Sequence, residues 1–117
     1  MKQQFKTYLR AQRRQWGLTQ RELAFLLGYR YASAVWRIER DGREPTLSIA
    51  FACHILFDTP VAQLFPGLVS EIEDAILRRA YKLYDRLQGN PSRTTKAKLD
   101  LLEQVLKRAA ARNTNRA

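Results

Sequence analysis

The stretch Thr19-Gln20-Arg21-Glu22-Leu23-Ala24-Phe25-Leu26-Leu27-Gly28 decides the fold. Thr19 and Glu22 stand at capping-box spacing: the hydroxyl can accept from the backbone at Glu22, and the carboxylate can reach back to the backbone of Thr19. Leu23, Ala24, Leu26 and Leu27 then supply an apolar helical face, and Gly28 suits a helix end. Upstream, Phe5, Leu9 and Trp16, with Tyr8 beside Leu9, recur at helical spacing up to Gly17. Downstream, Tyr31 to Arg40 fits a third short helix, with Ala34, Val35 and Ile38 inward and Asp41-Gly42 as its end. Pro45 and Thr46 open a fourth helix, in which Leu47, Ala50, Phe51, His54 and Ile55 share one face. Thr59-Pro60 reads as an N-cap followed by a proline at the first helical position of a fifth helix through Leu64 and Phe65, which Pro66-Gly67 stops. No segment alternates apolar and polar residues in the way a strand demands.

From about residue 68 the pattern changes. Val69, Ile72, Ile76, Leu83 and Leu87 form one stripe over residues 68–88, with Leu77, Tyr81 and Tyr84 beside it. Gly89-Asn90-Pro91-Ser92 is a turn cluster. Leu99, Leu102, Leu106 and Ala109 share a face over 94–111, and the chain is expected to fray from about Asn113. The expected architecture is therefore all-α: a five-helix domain over residues 1–67, then a two-helix hairpin over 68–117.

Composition limits what such a chain does. Its 117 residues carry 21 Lys+Arg against 11 Asp+Glu, a net charge of +10, and 45% of them are hydrophobic. That apolar share is too high for a disordered basic tail, and the basic surplus points to a polyanionic partner. Cys53 is the sole cysteine, so neither an intrachain disulfide nor a thiolate metal cluster is expected; its neighbours Phe51, Ala52 and Ile55 suggest a small buried residue. His54, the one histidine, reads as a core or interface residue rather than a metal ligand. Glu71, Glu73 and Asp74 suit a helix start rather than a catalytic pair, so no enzyme activity and no cofactor are expected. The N-terminus lacks the apolar region of a secretory signal, and no run is long enough to span a bilayer, so a cytoplasmic, nucleoid-associated location without membrane contact is expected.

Two short helices with a capping box, a glycine and a tight connection are the parts of a helix-turn-helix. The run from Leu9 to Phe65 resembles the repressor-type helix-turn-helix family (XRE, or Cro/repressor-like). In the first two helices Leu9, Arg13, Gly17, Leu18, Thr19, Gln20, Leu23, Ala24, Leu27 and Gly28 fall in register; Val35, Arg37, Ile38, Glu39, Gly42, Pro45 and Leu47 match farther on, then Thr59, Val61, Leu64 and Phe65. The resemblance covers about half of the chain. The sequence departs from the family in four respects. Gly28 to Glu39 is one residue longer than usual, an insertion placed in the turn Tyr29-Arg30-Tyr31. Gln12 stands where an apolar residue is usual, and Phe25 where a polar one is. The hairpin has no counterpart.

The resemblance implies a DNA-binding domain whose third helix enters the major groove. Ala32, Ser33, Trp36 and Arg37 would then face the bases. Arg37 suits the two acceptors of a guanine edge, with a phosphate contact or an ion pair with Glu39 as the other readings. Trp36 has a second reading as a packing residue. Thr19, Gln20, Arg21, Arg30, Tyr31, Arg40 and Arg43 are the expected phosphate contacts, with Gln20 and the first turn of the second helix acting as a clamp. Arg13 is implied to tie the first helix to the domain, and Glu39 to pair internally with a basic side chain. Charge agrees: residues 1–44 carry ten basic and four acidic side chains, residues 45–67 only Asp58, and residues 68–117 eleven basic and six acidic.

The functional expectation is a sequence-specific, double-stranded-DNA-binding transcriptional regulator, a homodimeric repressor on an inverted repeat. Phe25, Leu26, Leu77, Tyr81 and Tyr84 are its candidate dimer residues. The alternative is an antitoxin-like or adaptor module with the hairpin as docking surface for a protein partner.

Overall fold

The computed structural model describes residues 7–89 and 92–116. The expectations for Phe5, Asn90 and Pro91 lie outside these residues. Every regular element described is helical: α1 (Leu9–Gln15), α2 (Gln20–Leu27), α3 (Ala32–Asp41), α4 (Leu47–Phe57), α5 (Val61–Leu64), α6 (Pro66–Leu87) and α7 (Arg93–Arg116). Among the described residues no helix is long and apolar enough to cross a membrane. Packing divides the chain into two compact units, Met1–Glu71 and Ile72–Ala117.

In the first unit the capping box forms as expected. Thr19 Oγ1 accepts from the Glu22 N–H at 3.0 Å, and the Thr19 N–H donates to Glu22 Oε1 at 2.9 Å. These bonds hold the Glu22 carboxyl below its ordinary range. Gly28 ends α2 at φ 84°, and Gly42 ends α3 at φ 61°. Both turns need the left-handed region, which an L side chain enters at a cost. Past Gly28, the Tyr29 N–H reaches back to the Ala24 carbonyl at 2.8 Å and closes the end of α2.

Leu9, Leu23, Leu27, Val35, Ile38, Cys53, Phe57, Leu64 and Phe65 meet in one core, with Ala24, Ala50 and Leu68. The start of α1 is pinned from a distance: the Tyr8 N–H donates to the Leu64 carbonyl at 2.8 Å, and the Thr7 hydroxyl donates to the same oxygen at 3.3 Å. Burial pushes the Cys53 thiol up to about 11.

Several local expectations are corrected. Trp16, at the end of the α1 periodicity, is exposed. The apolar face expected of α4 is not the buried one: Ala50 alone of that set is buried, His54 is half-buried, and Leu47, Phe51 and Ile55 are exposed. Because α4 is apolar all round, its periodicity does not distinguish inside from outside, and Ala50, Cys53 and Phe57 face the core instead. Pro60 is the N-cap of α5 rather than its first residue, and the Thr59 hydroxyl turns back to the Phe57 carbonyl at 2.9 Å. Pro66-Gly67 follows the end of α5 at Leu64, as expected, but it also opens α6. Proline lacks the N–H that a first-turn position leaves unpaired, so it starts a helix more readily than it ends one.

In the second unit two contacts give the direction of pairing. The Tyr84 hydroxyl donates to Glu103 Oε1 at 2.9 Å, and Arg112 Nη2 lies 3.3 Å from Glu73 Oε1. As α6 advances α7 returns, an antiparallel pair. Ala80, Ala109 and Thr95 are buried here. Ser92 receives the Thr95 N–H at 3.1 Å at the start of α7, whose range is Arg93–Arg116. Leu77 and Tyr84 lie on the more enclosed side of α6, whereas Ile72, Ile76 and Leu83 of the first-named stripe are exposed.

Gly28→Val is expected to lower the stability of the first unit by ~1–2 kcal/mol, the cost of placing an L side chain in the left-handed region. A Cβ built at Gly28 meets no atom within 4 Å, so the loss is purely conformational and Gly28→Asn recovers part of it. Urea unfolding followed by tryptophan fluorescence measures both. The raised Cys53 thiol adds a pH test. Its native form stays protonated up to about 11 against an ordinary 9.0. Its contribution to stability is therefore full below 9.0 and is lost as pH rises towards 11. Unfolding midpoints of the wild type and Cys53→Ala, taken across that window, should converge.

Candidate nucleic-acid interface

α3 begins at Ala32 after a turn in which Arg30 and Tyr31 are exposed, and Tyr31 is its N-cap, in extended conformation. Val35 and Ile38 are driven inward, being 0% and 3% exposed. The helical repeat then forces Ser33, Trp36, Arg37 and Arg40 onto the outer face, and all four are exposed. Ala32 is half-buried at the first turn. Arg21 on α2 and Arg43 after Gly42 are exposed as well. The Arg43 N–H donates to the Arg37 carbonyl at 3.3 Å, which wraps the chain after Gly42 against the last turn of α3.

Behind this face, Arg13 Nε lies 2.7 Å from Glu39 Oε2, and Arg13 Nη2 donates to Glu39 Oε1 at 3.1 Å. The pair is bidentate and nearly dry: the side chains are 11% and 0% exposed. The third Arg13 nitrogen donates to the Leu18 carbonyl at 2.7 Å, and Gln20 Nε2 donates to Glu39 Oε1 at 3.2 Å. One carboxylate on α3 thereby receives donors from α1 and α2. This fulfils the internal roles expected of Arg13 and Glu39 and corrects the reading in which Arg37 pairs with Glu39. Gln20 also orients α2 against α3: one hydrogen of its amide nitrogen goes to Glu39, and that nitrogen carries a second. Thr19 Oγ1 accepts one bond from Glu22, which leaves the hydroxyl hydrogen out of the capping box.

Trp36 is 43% exposed and Tyr31 66%. Trp36 thus has more than half of its surface covered and the rest open on the outer face of α3. Phe25, at 81%, is the most exposed large apolar side chain among the described residues. It walls a surface cleft of about 420 Å3 with Arg21, Ala24, Tyr29, Arg30, Tyr31 and Ala32. Burial raises the Tyr29 hydroxyl above its ordinary range; Cys53 acts in the same sense and Arg43 against it. Tyr29 was absent from the sequence expectations as a site residue. Arg21 and Phe25 stand four apart and share a helix face, a signal that would have tied Phe25 to the turn. Leu26 is exposed beside it. Leu77, Tyr81 and Tyr84 belong to the second unit; of these Tyr81 is exposed, and Tyr84 is engaged with Glu103.

Among the described residues no group of three or more His, Cys, Asp or Glu side chains converges to hold a metal ion. No family model matches the chain, and no curated protein or solved structure is significantly similar to it.

Arg13→Ala leaves Glu39 buried without its counter-charge and is expected to cost ~3–5 kcal/mol. Arg13→Leu/Glu39→Leu removes both charges and should recover much of that loss. A double-mutant cycle in urea that gave additive losses would contradict the coupling described here.

Proposed function

We propose that this protein is a sequence-specific DNA-binding regulator of the helix-turn-helix type, acting as a homodimeric repressor on an inverted repeat. Helix α3 is its recognition helix. The observation that carries this reading is the outer face of α3: Ser33, Trp36, Arg37 and Arg40 are exposed together, on a helix whose other face is locked into the core and, through Glu39, to Arg13. A major groove admits one α-helix, and an exposed guanidinium on it can bond both acceptors of a guanine. Arg40 in the last turn of that helix, with Arg21, Arg30, Tyr31 and Arg43 outside it, are its phosphate contacts, together with the Thr19 hydroxyl and the first turn of α2. The resemblance of residues 9–65 to repressor-type domains points the same way.

A second reading is a protein-interaction module, antitoxin-like or an adaptor. It is favoured by Ile72, Ile76, Leu83 and Leu101 in the second unit, all large, apolar and exposed. The two readings are compatible in one molecule.

Selection of bound sequences from a random double-stranded DNA pool tests the first reading and should enrich an inverted repeat. No enrichment would leave the interaction module as the better account. On the enriched site, Arg37→Ala should cost ~1–3 kcal/mol and relax preference at one position of each half-site. Arg40→Ala should weaken all sequences alike and reduce the slope of log affinity against log salt by about one. An Arg37→Ala protein with unchanged affinity and selectivity would remove Arg37 from the readout.

A further inference from the structure

Helix α4 presents an apolar face that its own unit does not cover. Leu47, Phe51 and Ile55 stand one turn apart in a row and are 74%, 52% and 77% exposed, while Ala50, Cys53 and Phe57 face the core. Three side chains this exposed leave on the order of 400 Å2 of apolar surface, as large as the biggest patch on an ordinary monomer. It is about half of the ~800 Å2 that each partner gives to a stable complex, so rim residues must supply the rest.

Charge indicates what covers it. The chain carries +10, yet Asp58 is the only charged residue from 45 to 67. A polyanion finds no cation on this row, and an acidic protein finds no counter-charge. Two copies of the chain meeting through their basic segments bring like charges together, whereas the α4 face lets them meet with little repulsion.

We propose that the α4 face is a homodimer interface, with the two α4 helices antiparallel about a two-fold axis. Phe51 lies midway along the row, so it meets its own copy at the axis, and Leu47 of each copy meets Ile55 of the other. The antiparallel sense also sets Asp58, the C-cap of α4, beside the N-terminus of the other α4. Unpaired N–H groups and the positive end of the helix dipole favour a carboxylate there. A parallel pair would set the two Asp58 carboxylates side by side. The homodimer of the proposed function gains a surface in this way, but the interface stands whether or not the partner is DNA.

Sedimentation of the full chain without nucleic acid, over a micromolar concentration series, tests the proposal. The wild type should show a reversible monomer–dimer equilibrium. Ile55→Glu should weaken it at least about tenfold, with helicity and melting temperature unchanged because the position is exposed. Leu47→Lys/Ile55→Glu should restore dimerisation, since the antiparallel pairing sets each new cation against a new anion. A wild type that stays monomeric throughout, an Ile55→Glu protein that dimerises normally, or a double variant as weak as the single would each overturn it. Failure of the DNA selection alongside a normal dimer would count against the DNA reading alone.

Discussion

The first unit depends on one carboxylate. Glu39 has no exposed side-chain surface, and an ion in such a place is tolerable only if donors surround it. Arg13 supplies two, Gln20 a third, and Arg13 also reaches the Leu18 carbonyl. The donors come from two helices, α1 and α2. Satisfying Glu39 therefore fixes the position of α1, the loop before α2 and the first turn of α2 relative to α3. Apolar burial holds these helices together without dictating their rotation. The ion pair selects one rotation, because a turn of either helix would leave a buried charge unpaired. The outer face of α3 takes its direction from that selection.

The parts of the fold with local chemistry were legible. The Thr19–Glu22 box, the Gly28 and Gly42 turns and the inward positions of α3 each follow from a few neighbouring residues, and each is found in the structure. What was not legible depends on which surface happens to be covered. Leu47, Phe51 and Ile55 are as apolar as the residues that α4 buries, so pattern alone could not orient that helix. Pro66 marked the end of α5 but not the start of α6: proline suits a first helical turn, and only the continuation through α6 shows that role.

At the candidate site, the outer row on α3 could be read by subtracting the inward residues. The bond from Gln20 to Glu39 could not. The position of Gln20 at the head of α2 suits a phosphate contact, and its side chain is long enough to reach either outward or back to Glu39. That choice depends on a residue nineteen positions away. Phe25 posed the same difficulty: an apolar residue at an exposed helical position says that something lies near it, but not that Arg30 and Tyr31 form the opposite wall.

The bonds from Thr7 and Tyr8 to the Leu64 carbonyl carry a consequence for how the unit assembles. They draw a closed ring in which the first anchored residue waits for nearly the last. During synthesis α1 can coil as soon as it emerges and can pair with α3 through Arg13 and Glu39, but its N-terminal end has nothing to hold until α5 follows it out. The arrival of Leu64 acts as the latch that shuts the ring.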